Sequence, residues 1–248
     1  MQPGGWRFSP GLWPSVTVVI VFPVLLSLGF WQLDRAEQKR QIYREFQQKQ
    51  AAKPVNLNTD SSLRNDREAV LWRTVRAVGE FDSEIHLLLD NQVREGEPGY
   101  FVFTPFRLAR TDQYVLVNRG WVPAGPDRAL PPEIDTVTGP AEITGIAKDV
   151  PFAGIKLDES TTEKMTENLV RLQQLELENA ADLTGKTLLP YVVRLVPESD
   201  HGFVRKWQLP GSGEEKHLGY AFQWFALAAT LVLIYLFVNL KKTAGDNG

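Results

Sequence analysis

The chain of 248 residues has a formal net charge of −3 and contains three histidines and no cysteine. The lack of cysteine excludes disulfide bonds, thiolate metal sites and a cysteine nucleophile, and three histidines barely allow a conventional multi-histidine metal site. Apart from three basic residues and one acidic residue near the termini, all charged residues lie in residues 34–217, whose net charge is −5. This acidic balance argues against a nucleic-acid partner, which needs a basic stripe.

The first predicted element is an uncharged, apolar stretch of 26 residues from Phe8 to Leu33. A bilayer core requires about 20 helical residues, so this stretch is long enough to cross it. It is too long for the apolar region of a signal peptide, and no small-residue cleavage site follows it. We therefore predict an uncleaved transmembrane helix at residues 12–33, followed directly by charged, helix-favouring sequence.

Residues 34–217 are polar enough to form a soluble domain, which we predict to consist mainly of β-strands. Short runs rich in β-branched and aromatic residues, bounded by Gly, Pro and Asp, are typical of strands. The strands predicted in this way are Trp72–Val78, Ile85–Leu89, Tyr100–Leu108, Gln113–Val122, Ala141–Ala147 and Leu189–Val196. Because short turns join consecutive strands, we expect a mainly antiparallel sheet, arranged as a barrel or a sandwich.

One segment of this domain follows a helical pattern. Ser160 and Glu163 fit a capping box at its start, and Gly185 is a stop signal at its end. The apolar residues at helical spacing between them are Leu169, Leu172 and Leu175. We therefore predict a helical insertion at about residues 163–184, before the last strand.

A second uncharged, apolar stretch of 23 residues runs from Leu218 to Leu240. A buried core helix of this length with no charge on any face is rare, so we predict a second transmembrane helix at residues 218–240. An even number of spans puts both termini on one side of the membrane. Lys241 and Lys242 favour cytoplasmic termini and a periplasmic domain, whereas basic residues just after the first span favour the reverse.

The residues best suited to bind a cofactor lie at the ends of the two spans. His217, Tyr220 and Trp224 share one face of the second helix, and a histidine in such a setting suits axial ligation of a haem. Gln32 and Arg35 lie at the same interface on the first span, so a haem could lie between the two helices if they pack there. The alternative is an aromatic belt with snorkelling polar side chains, which the residues alone favour because most single histidines bind no metal.

Three further positions in the soluble domain have mainly structural interpretations. Arg119–Trp121 end a predicted strand, and we favour a buried strand end with a glycine bend over a binding site. His86 is predicted to point outward from a strand and His201 to lie in a loop, each without a visible partner.

Four motifs occur in order along the chain. They are Gly29-x-Trp31-Gln32-x-x-Arg35-x-x-x-Lys39, Gly79-x-Phe81, Val117-Asn118-Arg119-Gly120-Trp121-Val122-Pro123 and His217-Leu218-x-Tyr220-Ala221-x-Gln223-Trp224-Phe225-x-Leu227-Ala228. With the two-span layout, this pattern resembles the surfeit-locus-one family of cytochrome c oxidase assembly proteins over nearly the whole chain. The last two motifs are the most specific.

The resemblance implies a factor for the assembly of haem-copper cytochrome c oxidase that binds haem a and assists its insertion into the catalytic subunit. It implies that His217 matches the proposed haem a ligand of bacterial members. Tyr220, Trp224, Gln32 and Arg35 are the other candidate haem-binding residues, from their positions at the ends of the two spans. The implied partners are the oxidase catalytic subunit and the haem a synthesis machinery, in addition to the lipid bilayer that the two spans predict. The N-terminus is too short and too poor in basic residues for a mitochondrial presequence, so we expect a bacterial inner membrane. The resemblance implies a periplasmic domain and cytoplasmic termini.

We do not expect an enzyme, because no nucleophile–base pair or metal cluster is visible in the sequence. One alternative is a membrane-tethered enzyme acting on envelope substrates, with Asp90 and Glu95 as acid and base. Another is a sensor of an external ligand, although the tail after Lys242 is too short for an output domain.

Overall fold

The computed structural model describes residues 6–151 and 162–242. The chain divides into two compact units, of which one comprises the residues up to Glu45 and from Gln208 onward and the other comprises Phe46–Trp207. The helices are α1 (Leu12–Ala51), α2 (Ser61–Arg64), α3 (Arg67–Val70), α4 (Leu177–Thr184) and α5 (Glu214–Asn239). The strands are β1 (Trp6–Phe8), β2 (Val55–Asn56), β3 (Thr74–Phe81), β4 (His86–Leu89), β5 (Gly99–Leu108), β6 (Tyr114–Pro123), β7 (Pro140–Lys148), β8 (Thr162–Lys164), β9 (Leu169–Leu172), β10 (Leu188–Leu195) and β11 (Leu240–Lys242).

The first unit is built on α1 and α5, both long and apolar enough to cross a membrane. Each contains an 18-residue window with a mean hydropathy of 2.1, of which only 11% is buried. The core helix of a soluble protein would be mostly buried, so this exposure suggests membrane association. Helix α1 continues through Pro23 and well past residue 33, as its charged, helix-favouring sequence indicates.

Small residues allow α1 and α5 to pack closely. A Cβ atom at Gly29 would lie 2.6 Å from the ring of Phe225, so glycine is needed for this contact. Ala221 and Ala228 on α5 are almost fully buried. Lipid tails are as apolar as leucine, so helices in a bilayer associate through such close van der Waals packing and through hydrogen bonds rather than through the hydrophobic effect.

Polar contacts join α1 and α5 at both ends of the pair. At one end the Gly11 amide donates to Asn239 Oδ1 at 2.9 Å, and β1 pairs with β11 in antiparallel register. At the other end Arg40 Nε donates to Glu214 Oε1 at 3.0 Å. The two helices therefore run antiparallel with a fixed register.

The second unit contains a nine-stranded mixed sheet with the order β2-β3-β7-β10-β6-β5-β4-β9-β8. Strand β3 also pairs with β5, so β3, β7, β10, β6 and β5 form a closed circuit of hydrogen-bonded neighbours. The prediction of a mainly antiparallel sheet is confirmed. Three parallel pairs make the sheet mixed: β2 with β3, β4 with β9, and β6 with β10.

Alternate residues of the circuit strands form the largest apolar core. Its fully buried members include Val75, Phe106, Val117, Ile143, Tyr191 and Val193. A second cluster combines Ala180 of α4 with buried side chains that include those of β4, β5 and β9. Burial of each large apolar side chain contributes about 1.5–3 kcal/mol, so these two clusters dominate the stability of the domain.

The predicted strands and the predicted helical insertion have different outcomes. All six predicted strands overlap β3, β4, β5, β6, β7 and β10. The helical insertion at residues 163–184 is wrong for its first part, where β8 and β9 lie, and is right only for α4. Leu169 and Leu172 fit a helical spacing, but β9 pairs in parallel with β4 and is buried on both faces. Ser160 of the predicted capping box lies outside the described residues.

Candidate functional site

The contact between His217 and Gln32 lies near the same end of the helix pair as the contact between Arg40 and Glu214. His217, in the first turn of α5, has its Nδ1 atom 2.8 Å from Oε1 of Gln32 on α1. Gln32 is buried, with 9% of its surface exposed, whereas His217 is half-buried. The antiparallel register and the small residues of the helix interface bring these two side chains to the same level.

The hydrogen bond defines which ring nitrogen of His217 is free. An amide oxygen only accepts, so Nδ1 carries the proton and donates it to Gln32 Oε1. The other ring nitrogen, Nε2, then holds the lone pair. A histidine that binds a metal is commonly oriented by such a bond from its second nitrogen to an acceptor.

In the described part of the chain, no hydrogen bond joins the other residues of the predicted site to His217. Tyr220 is 53% exposed, and Trp224 is half-buried on the same helix. Arg35 is exposed, donates to Gln38 Oε1 at 2.9 Å and lies with its guanidinium carbon 5.7 Å from the centre of the Trp31 ring. The structure thus joins Gln32 and His217 by a hydrogen bond, while Tyr220 and Arg35 are exposed and Trp224 is half-buried.

A β-bulge occurs at the strand motif around Arg119. Val102 on β5 pairs with Gly120 and Phe103 pairs with Asn118, so Arg119 has no partner across the ladder. The Gly120 amide donates to Asn118 Oδ1 at 3.0 Å, and Gly120 adopts a φ of 122°. Trp121 then bridges to Val204. The glycine bend is as predicted, but no sequence signal indicates that Arg119 is an inserted residue.

The outward orientation predicted for His86 is wrong. His86 is 1% exposed, and its Nδ1 atom lies 2.9 Å from Thr104 Oγ1. Burial and the nearby Arg119 guanidinium lower the pKa of His86 to about 4, while Asp82 opposes the shift. Every residue of β4 is buried, so the alternation of apolar and polar residues carried no information about its faces. His201 lies in a loop, as predicted.

The carboxylates of the enzyme alternative do not form a shared site. Asp90 is buried and ion-paired with Arg128, whereas Glu95 is exposed and lies 3.4 Å from Lys206. Among the described residues, no group of three or more His, Asp or Glu side chains could hold a metal ion.

These features define a class of protein: a mixed, mainly antiparallel β-sheet domain flanked by two apolar helices that suggest membrane association. A family model described as "SURF1 family" matches residues 19–229. The chain belongs to the SURF1 family.

Three relatives that match over most of their own length are compared with this chain. A SURF1-like protein of Rickettsia conorii is 29% identical over 92% of this chain and 92% of its own. A SURF1-like protein of Monosiga brevicollis is 24% identical over 92% of this chain and 87% of its own. Surfeit locus protein 1 of Xenopus tropicalis is 24% identical over 92% of this chain and 76% of its own.

Proposed function

We propose that the chain assists the assembly of cytochrome c oxidase by binding haem a and helping its insertion into the catalytic subunit. Membership of the SURF1 family supports a role in cytochrome oxidase assembly at the family level. The haem part of the proposal rests on the hydrogen bond between Gln32 and His217.

The chemistry of this pair fits a haem ligand. Axial ligation needs an unprotonated ring nitrogen, and Gln32 holds the proton of His217 on Nδ1. The Nε2 atom is therefore the donor for iron, and the half-buried ring of His217 leaves it accessible. Haem a would be the cargo of this site, held by His217 until its transfer to the oxidase.

The packing of the helix pair favours the outer side of α5 as the haem surface. Phe225 fills the interface against Gly29 two turns below His217, which argues against the expected position between the helices. Tyr220 and Trp224 follow His217 on α5, one and two turns further along the helix, and both provide aromatic surface. On α1, the exposed Arg35 would supply a positive charge to a haem propionate.

Haem binding can be tested by purifying the chain from cells that make haem a. The wild-type protein should carry haem a with a defined absorption spectrum, and His217→Ala should lose that spectrum while still inserting in the membrane. Lys216→Ala, which changes an exposed neighbour, is the matched control and should keep the spectrum. An unchanged spectrum and haem stoichiometry in His217→Ala would exclude His217 as the ligand.

The proposal includes a location and partners. It has the chain in a bacterial inner membrane with a periplasmic β-sheet domain and cytoplasmic termini, acting with the oxidase catalytic subunit and the haem a synthesis machinery. A reporter that is active only in the periplasm should be active after Asn118 and silent after Gly248. The reverse pattern would overturn the orientation and leave the haem test unaffected.

A further inference from the structure

Among the described residues of the β-sheet domain, Arg119 is the most deeply buried charged one. Its side chain is 1% exposed, and it is the largest side chain among the fully buried residues. Because Arg119 is the inserted residue of the bulge, its side chain leaves the regular alternation of β6. Bulges commonly re-aim a side chain in this way next to binding sites.

Two aromatic rings enclose the guanidinium group of Arg119. Its Cζ atom lies 5.3 Å from the ring centre of Phe81 and 4.7 Å from that of Phe203. A planar guanidinium is favoured against aromatic faces, and the rings hold it in one orientation. The group is therefore fixed before any ligand arrives.

The hydrogen bonds of Arg119 leave part of its donor capacity unused. Nε donates to the carbonyl of His201 at 2.8 Å, and Nη1 donates to the carbonyl of Asp135 at 3.0 Å. Within the described ranges, Nη2 has no hydrogen-bond partner and no carboxylate lies within ion-pair distance of Arg119. The Asp135 carboxylate acts on Arg119 only from beyond ion-pair distance, so the buried charge has no direct ionic partner. Such an arrangement is costly and is typical of a site that receives an anion.

A cavity of about 490 Å³ adjoins this guanidinium. Its volume falls in the range of small-molecule sites, about 300–1,000 Å³. The lining includes Arg119, Thr136, Thr138, His201 and Phe203. Thr136 and Thr138, which carry hydroxyl donors, thus line the same cavity as Arg119.

We infer that this cavity binds an oxyanion, a carboxylate or phosphate group of a small ligand, with Arg119 Nη2 as the charged donor and the hydroxyls of Thr136 and Thr138 as neutral donors. Burial lowers the pKa of Arg119 to about 10, so the group stays charged at neutral pH. A charged donor held in a low-dielectric setting binds an anion more strongly than one in water.

Asp135 provides an internal check on this inference. It uses its backbone carbonyl to accept from Arg119, and its exposed carboxylate also lines the cavity. That carboxylate would repel an incoming anion. Asp135→Asn keeps the carbonyl and removes the negative charge, so it should strengthen oxyanion binding about two- to fivefold, an effect the size of a surface charge interaction.

The experiment uses the full chain in a non-ionic detergent and a chloride buffer at constant ionic strength. Inorganic phosphate, glycerol 3-phosphate and acetate are titrated separately, with calorimetry and the shift in melting temperature as readouts. At least one should bind saturably. Tighter binding of glycerol 3-phosphate than of phosphate would assign a lipid headgroup, and tighter binding of acetate would assign a carboxylate ligand.

Variants of the cavity decide the outcome. The double variant Thr136→Val/Thr138→Val should bind the anion about tenfold more weakly or worse, since hydrogen bonds to charged groups are strong. Thr187→Val, an exposed threonine outside the lining, is the matched control and should bind as wild type does. Both threonines of the pair lie on the surface, so this result does not depend on the fold tolerating Arg119→Lys. Unchanged affinity in the double variant, a folded Arg119→Lys protein with full affinity, or no saturable binding of any probe would overturn the inference.

Discussion

His86 of the β-sheet domain and His217 of the helix pair differ in burial and in the hydrogen bonds of their rings. His86 is 1% exposed in the β-sheet domain, and its Nε2 atom is buried without a partner in the described part of the chain. His217 is half-buried in the helix pair and is oriented by Gln32, with Nε2 accessible. The first ring is held in the neutral state by its surroundings, whereas the second is positioned with a free lone pair. Burial, rather than residue type, separates the structural histidine from the candidate ligand.

Glycine also has different structural roles in the two units. Gly29 allows two helices to approach, because the ring of Phe225 occupies the space where a side chain would lie. Gly120 supplies a φ of 122° for a bulge and leaves room for the backbone at Val204. A larger residue at Gly29 would separate α1 from α5, whereas a larger residue at Gly120 would disrupt the bulge within β6.

The strongest destabilisation is expected at the bulge. Gly120→Glu should cost more than ~4 kcal/mol of unfolding free energy, because a Cβ atom there would lie 2.9 Å from the Val204 carbonyl on a positive-φ backbone. Gly125→Glu is the matched control: it also has a positive φ, of 74°, but no atom lies within 4 Å of its Cβ position. The yield of folded protein and the melting temperature are measured for both variants. Normal abundance of Gly120→Glu with lost function would instead identify a contact surface.

The next effect in size tests the buried histidine of the β-sheet domain. The pKa of His86 is about 4 when folded and near 6.5 when unfolded, so the unfolded state binds more protons between these values. Stability is therefore full above pH 6.5 and falls by up to about 3 kcal/mol as the pH drops to 4. His86→Leu should flatten this part of the stability profile, measured by urea unfolding between pH 7 and 4.5. His201→Leu is the control for an exposed histidine, and an equal slope in wild type and His86→Leu would contradict the burial argument.

A third prediction tests the helix pair. Gly29→Leu should destabilise the packing of α1 on α5 by about 1–3 kcal/mol, because the added atoms would overlap the Phe225 ring. Gly219→Leu adds the same side chain to α5 at a position with no atom within 4 Å, and should be nearly neutral. Thermal unfolding in detergent compares the two. Equal melting temperatures would mean that the pair is not held at Gly29.

The sequence was sufficient for the strands because their apolar and aromatic runs are short and bounded by turn residues. It was insufficient for β8 and β9, since Leu169 and Leu172 fit a helix as well as a strand until the parallel partner β4 is known. The parallel pairs could not be predicted either, because local turn signals report only on neighbours in sequence.

The candidate site was predictable only in part. Helical spacing and span ends brought Gln32 and His217 to one interface, but their direct contact depends on the register that Gly29, Phe225 and the end contacts impose. In the described part of the chain Tyr220 and Trp224 make no hydrogen bond to His217, because a shared helical face does not determine which side chains bond to each other. The role of Arg119 required knowledge of the bulge, which is a property of strand pairing and not of β6 alone.

The mildest change, and the one that bears most directly on the contrast between the two histidines, is at Gln32. Gln32→Leu removes the acceptor for the His217 Nδ1 proton, so the ring is no longer held in one tautomer. Loss of such a supporting bond typically weakens a metal ligand about 10–100-fold, and haem retention should fall accordingly. Gln32→Glu keeps an acceptor and should restore retention, whereas Gln41→Leu, an exposed glutamine on α1, should have no effect. Haem titration of the purified variants measures each affinity. If Gln32→Leu bound haem as tightly as Gln41→Leu, the orientation of His217 by Gln32 would have no part in haem binding, and the half-buried ring alone would account for it.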